Sequence, residues 1–103
     1  MPAIRFVVMH HPGPAWQPGV PLFEQAGLQA HIDHYRQWQA QGLLLCGGPF
    51  TDQEAGGMMV PKATLDREAV SQFALADPAV RSGLLTVTIR PWLMGMQHPD
   101  LSL

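Results

Sequence analysis

Charge is the scarcest property of this chain. Only 14% of its 103 residues are charged, and the six Lys and Arg form no cluster. A formal net charge of −2 without a basic face argues against a phosphate-backbone partner, so no nucleic-acid binding is expected. Cysteine is nearly absent as well. The single Cys46 excludes an intramolecular disulfide and a multi-cysteine metal site, and its apolar setting, Leu43-Leu44-Leu45-Cys46, reads as that of a buried structural thiol. No run approaches the roughly twenty apolar residues that cross a bilayer. The N-terminus has no charged region, apolar stretch and small-residue cleavage site in sequence. The expected setting is therefore soluble and cytoplasmic, with no membrane partner.

Apolar residues, by contrast, are abundant. They make up 47% of the chain, and its length suits one domain over residues 1–103 with a C-terminal tail at 93–103. A small monomer with so little charge would struggle to present a polar surface, so part of the apolar surface is expected to be covered by a second copy.

The chain divides into elements at its prolines and glycines. Ala3 to His10 (AIRFVVMH) has the β-branched and aromatic content of a buried strand. The stretch Pro12 to Pro21 is broken by proline and glycine and reads as a long loop, functional or mobile. Between Phe23 and Gln41, Leu28, Ile32, Tyr35 and Trp38 recur at helical spacing, and Gly42 stands where a helix end favours positive φ. Leu43 to Cys46 and Met58 to Val60 read as the second and third strands, the third lying at an edge or bulged at Pro61. Thr64 or Asp66 can cap a second helix with Val70, Phe73 and Ala74 as its buried stripe, and Asp77-Pro78 ends it. Leu84 to Ile89 alternates as a fourth strand. The order β-α-β-β-α-β predicts an α+β, ferredoxin-like fold: a four-stranded antiparallel sheet with two helices on one face. The uncovered face then becomes the natural surface for a homodimer.

An ordered set of residues runs through this framework: His31-x3-Tyr35, Gly42, Gly48-Pro49, Asp52, Gly56-Gly57, Asp77-Pro78, Gly83 and Arg90-Pro91-Trp92. In order and spacing it resembles the YCII-related (YciI-like) proteins over about Ala3 to Trp92. The resemblance implies a dimeric α+β barrel with a pocket between helices and sheet, in which a His and an Asp form an acid–base pair. It also implies a cofactor-independent activity like that of dehydrochlorinases or related lyases and isomerases. The Pro12–Pro21 stretch and the Met94–Leu103 tail depart from the family pattern.

On that pattern His31 is the general base, placed on the inward side of its helix between Leu28 and Tyr35; the bland alternative is a core histidine bonded to a carbonyl. Asp77 is the preferred carboxylate partner and Asp52 the second candidate, although each also suits a turn. Tyr35 can donate to a substrate oxygen, Gly48 and Pro49 permit close backbone approach, and Arg90 can meet a substrate carboxylate. His31, Asp33 and His34, or His10-His11, invite a metal reading, but spacing specifies no third ligand and no metal is expected. His34 and Trp38 are expected on an exposed or interfacial side, with Trp16 and Trp92 also outward. The alternative to an enzyme is a non-catalytic module that binds a small molecule in the same pocket.

Overall fold

The computed structural model describes residues 3–101. Its elements are β1 (Ile4–Pro12), α1 (Leu28–Ala40), β2 (Leu44–Pro49), β3 (Gly57–Pro61), α2 (Arg67–Leu75), α3 (Pro78–Arg81) and β4 (Leu85–Leu93), with a 3-10 turn at Leu22–Glu24. The four strands form one antiparallel sheet in the order β2-β3-β1-β4, which is the ferredoxin-like arrangement. β1 and β4 pair along their full lengths, from Ile4 opposite Leu93 to Pro12 opposite Leu85.

Alternation along β1 divides its side chains between two environments. Val8, with Phe6 packed beside it, joins Tyr35, Trp38, Val70 and Ala74 in the core beneath the helices. Arg5, Val7 and Met9 point to the other face, which no helix covers. There Arg5 and Val7 are buried by their neighbours, whereas Met58 and Trp92 are exposed.

Helix α1 follows from a stripe at Leu28, His31, Tyr35 and Trp38, all buried. It ends as expected: Gly42 adopts φ 72°, and the amides of Gly42 and Leu43 donate to the carbonyls of Gln39 and Trp38. Of the two caps considered for α2, Asp66 is used, its Oδ1 accepting from the Ala69 amide at 2.8 Å.

Several expectations are corrected. β3 is internal, so of the two alternatives for Pro61 the edge is excluded and the irregularity is found: the register slips between Leu44 and Cys46, opposite Pro61 and Val60. Cys46 is exposed, because β2 is an edge strand, and the leucines before it are only half-buried. Trp38 is buried and stacks on Phe73 at 3.9 Å. His34 stacks on the same ring at 4.0 Å, and its Nε2 donates to the Phe73 carbonyl at 2.7 Å. Both residues thus join α1 to α2 instead of facing outward. Trp16 is half-buried beside the second apolar cluster of Leu28, Ala79, Leu84 and Leu85.

The Pro12–Pro21 stretch is held to the body of the fold. Gly13 and Ala15 donate to the carbonyls of Leu84 and Gly83. The buried Gln25 carboxamide accepts from the Gln17 amide and donates to the carbonyls of Gln17 and Val20, at 2.8 to 3.0 Å. Each bond occupies a backbone group that a loop would otherwise leave to water.

Candidate active site

The site begins with a turn. Asp77 follows α2 and precedes a proline, so the chain leaves the helix there and restarts at once as α3 with Pro78 in its first turn. Asp77 Oδ1 caps the new helix by accepting from the Ala79 amide at 2.9 Å. The second oxygen remains for another donor. Oδ2 meets His31 Nδ1 at 2.5 Å, with Asp77 0% exposed and His31 8%. The cap and the pairing with His31 are therefore compatible, because the carboxylate has two oxygens and assigns one to each.

Burial by itself pushes the Asp77 carboxyl up, but the hydrogen bonds from His31 and Ala79 and the nearby imidazoles outweigh it. The net result lies below the ordinary carboxylate range. An ionised Asp77 only accepts, so His31 Nδ1 is the donor in this bond and Nε2 is the ring nitrogen turned away from the carboxylate.

Two more buried polar groups complete the cluster. His10, on the helix-covered side of β1, lies edge-on to His31 with ring centroids 4.8 Å apart, and its Nε2 is 3.9 Å from Asp77 Oδ2. Desolvation, followed by the neighbouring His31, lowers its pKa from 6.5 to about 4, so it is neutral at physiological pH. Tyr35 lies one turn beyond His31, with its hydroxyl 3.4 Å from His10 Nε2. Burial and the Asp77 charge both raise its pKa, which keeps the phenol protonated as a donor.

His31, His10 and Tyr35 line a cavity of about 480 Å³. Gly48 and Pro49 of β2 also line it. Asp77 stands behind His31 and does not. Two candidate residues are elsewhere. Asp52 is exposed in the β2–β3 connection, where its Oδ1 accepts from the Glu54 amide at 3.1 Å. Arg90 is exposed on β4 opposite Val7, and therefore on the face without helices. His10 was considered from sequence only as a metal ligand. The available signal was period two: Phe6, Val8 and His10 share a strand face, so a core at Val8 places the imidazole under the helices.

One ligand atom each from His10, His31 and Asp77 lies within 4.8 Å of the others, a donor set of the kind that holds a transition metal. Ligands about 2.1 Å from a tetrahedral ion stand roughly 3.4 Å apart. At 2.5 Å the His31–Asp77 pair is closer than that, and the geometry is that of a charge-assisted hydrogen bond.

The fold and cluster define a ferredoxin-like α+β protein with a buried His–Asp pair at the wall of a cavity between helices and sheet. The chain belongs to the family of the YCII-related domain, whose pattern matches residues 4–93. It is 31% identical over 70 residues to the uncharacterized protein YjpA of Bacillus subtilis (strain 168), covering 68% of this chain and 80% of that relative. No helix among the described residues is long and apolar enough to cross a membrane.

Proposed function

We propose that the protein is a cofactor-independent acid–base enzyme, of the lyase, isomerase or dehydrochlorinase-like kind, acting on a small organic molecule. The observation that carries this reading is the direction of the His31–Asp77 bond. Nδ1 faces the buried carboxylate, and Nε2 is the ring nitrogen left to meet a ligand in the cavity.

His31 would be the catalytic residue. Its Nε2 takes a proton from a carbon beside an electron-withdrawing group, and the C–H pair becomes a new double bond. Either a leaving group departs with its own bonding pair, or the proton returns at another carbon. Asp77 is a positioning residue that holds the tautomer and balances the imidazolium. The Tyr35 hydroxyl, as a persistent donor, would stabilise the oxygen on which negative charge develops. This chemistry can be run by the protein's own groups.

The partners in this reading are the small-molecule ligand and a second copy of the chain joined through the uncovered sheet face. Support for the dimer comes from Met58 and Trp92, which are exposed on that face.

The test is solvent deuterium incorporation into small molecules with an activated C–H bond, followed by NMR. Wild type should catalyse exchange or turnover of at least one, and a folded His31→Ala variant should not. Equal rates in the two proteins would end the catalytic reading and leave a binding module.

A further inference from the structure

The wall of the cavity is free of acids. None of the eight Asp and Glu of the chain lines it. Asp77 is screened behind His31, and Asp33, on the neighbouring turns of α1, accepts from Gln29 Nε2 at 2.9 Å. One permanent cation, Arg36, lines the cavity. It is exposed, and no acid among the described residues lies within ion-pair distance of it. The deep end holds only polar groups without formal charge at neutral pH, His10 and Tyr35, beside His31.

Helical geometry separates these two ends. Ile32, Arg36 and Gln39 follow one another at i, i+4 and i+7, a stripe beside that of His31 and Tyr35, and all three line the cavity. Arg36 is five residues beyond His31, an axial rise of about 7.5 Å, close to the length of one substituted ring. Ile32 lies between the two ends on α1, and Trp16, Leu28 and Leu85 add further apolar lining beyond His31. A volume of about 480 Å³ accommodates one such molecule.

We propose that the cavity binds a small cyclic organic carboxylate, with its carboxylate on the Arg36 guanidinium and its ring reaching His31. This rests on the reading of the cavity as a substrate site and adds the class and orientation of the substrate. A guanidinium presents a fork of donors that matches a carboxylate bidentately. The reverse orientation would place the anion beside the buried charge of Asp77, where a low dielectric strengthens repulsion.

The test compares 2-naphthoate with the uncharged 2-naphthamide by NMR titration of the full chain. Both should shift the amide signals of Gly47, Gly48 and His31, and wild type should favour the carboxylate by about tenfold or more. Arg36→Gln should abolish that preference while both probes still shift the same cavity amides, which controls for folding. Arg36→Lys should retain part of the preference. Equal binding of the two probes, a preference that survives Arg36→Gln, or no response of the cavity amides to either probe would overturn the proposal. His31→Asn separates the two readings. A carboxylate preference that persists there keeps the anion site even if the deuterium assay has excluded catalysis, whereas active exchange with no preference for the carboxylate sinks only the substrate class.

Discussion

His31 Nδ1 and Asp77 Oδ2 stand 2.5 Å apart although 46 positions separate the residues in the chain. The other oxygen of the same carboxylate caps α3. The helix cap and the proposed chemistry thus share one buried side chain, and this relationship yields the first prediction.

Asp77→Asn retains an oxygen for the Ala79 amide but removes the negative charge facing His31. Turnover should fall by about 10²–10⁴-fold, the usual contribution of a positioned acid–base group. The ¹⁵N shifts of the His31 ring should show that the Nδ1–H tautomer is no longer selected. Unchanged shifts with unchanged turnover would make Asp77 a cap and nothing more.

The pH dependence of stability should carry the signature of His10. Its folded pKa is lowered from 6.5 to about 4, so between those values the unfolded chain binds more protons than the folded one. Stability is therefore greatest above pH 6.5 and declines as pH falls towards 4, by about 3 kcal/mol for a shift of this size. Asp77 acts in the same direction at lower pH. Its lowered pKa contributes stability above the unfolded carboxylate value, and this is lost as pH drops through the folded one. Urea titrations at successive pH values measure both, and His10→Gln should flatten the window from 6.5 to 4.

Gln25→Ala should release the segment preceding α1. The amide of Gln17 and the carbonyls of Gln17 and Val20 lose their partners, at a cost of about 1–3 kcal/mol after water replaces part of the bonding. Faster hydrogen exchange at the Gln17 amide, together with a lower urea midpoint, is the expected observation. Protection that did not change would show that the backbone bonds of Gly13 and Ala15 suffice.

Gly56 adopts φ 78°, and a Cβ there would collide with the His10 carbonyl oxygen. Gly56→Ala should cost about 1–3 kcal/mol from left-handed strain, and more from displacement of β1. His10 moves with that strand, so its ring signals should shift even in molecules that remain folded. A thermal melt and a histidine-selective NMR spectrum would reveal both effects.

Trp92→Glu places a charge on the sheet face proposed to meet a second copy. Sedimentation should show a dimer for the wild type and a monomer for the variant, with circular dichroism unchanged. Equal masses for the two proteins would move the interface elsewhere or remove it.

The sequence carried the order of elements because its punctuation is local. Gly42 needs only its own φ to end α1, and Asp77-Pro78 needs only its own sterics to end α2. The inward side of α1 was likewise legible, since Leu28, His31 and Tyr35 lie on one stripe by helical geometry alone. Strand neighbours were harder to read. Pro61 was compatible with either an edge or a bulge, and only the pairing of β3 with both β1 and β2 distinguishes them. Cys46 looked buried because its apolar neighbours precede it, whereas its exposure depends on the absence of a strand beyond β2. Asp52 and Arg90 resembled site residues by their place in the motif order, yet one lies in a connection and the other on the opposite sheet face.

What the sequence determined by itself is what short-range sterics and periodicity control: the order of the four strands and two main helices, the breaks at Gly42 and Asp77-Pro78 and the inward side of α1. By contrast, α3 and the extension of β2 to Pro49 and of β4 to Leu93 were not legible in it. Tertiary structure alone decided which buried polar groups meet. The meeting of His10, His31 and Asp77 requires β1, α1 and the α2–α3 turn to converge, and burial of Val8, Tyr35 and Val70 brings those elements together. Hydrophobic burial is non-directional and specifies no partner for a histidine. The partner is set by close packing, which leaves the Asp77 oxygen one donor within reach beyond the Ala79 amide.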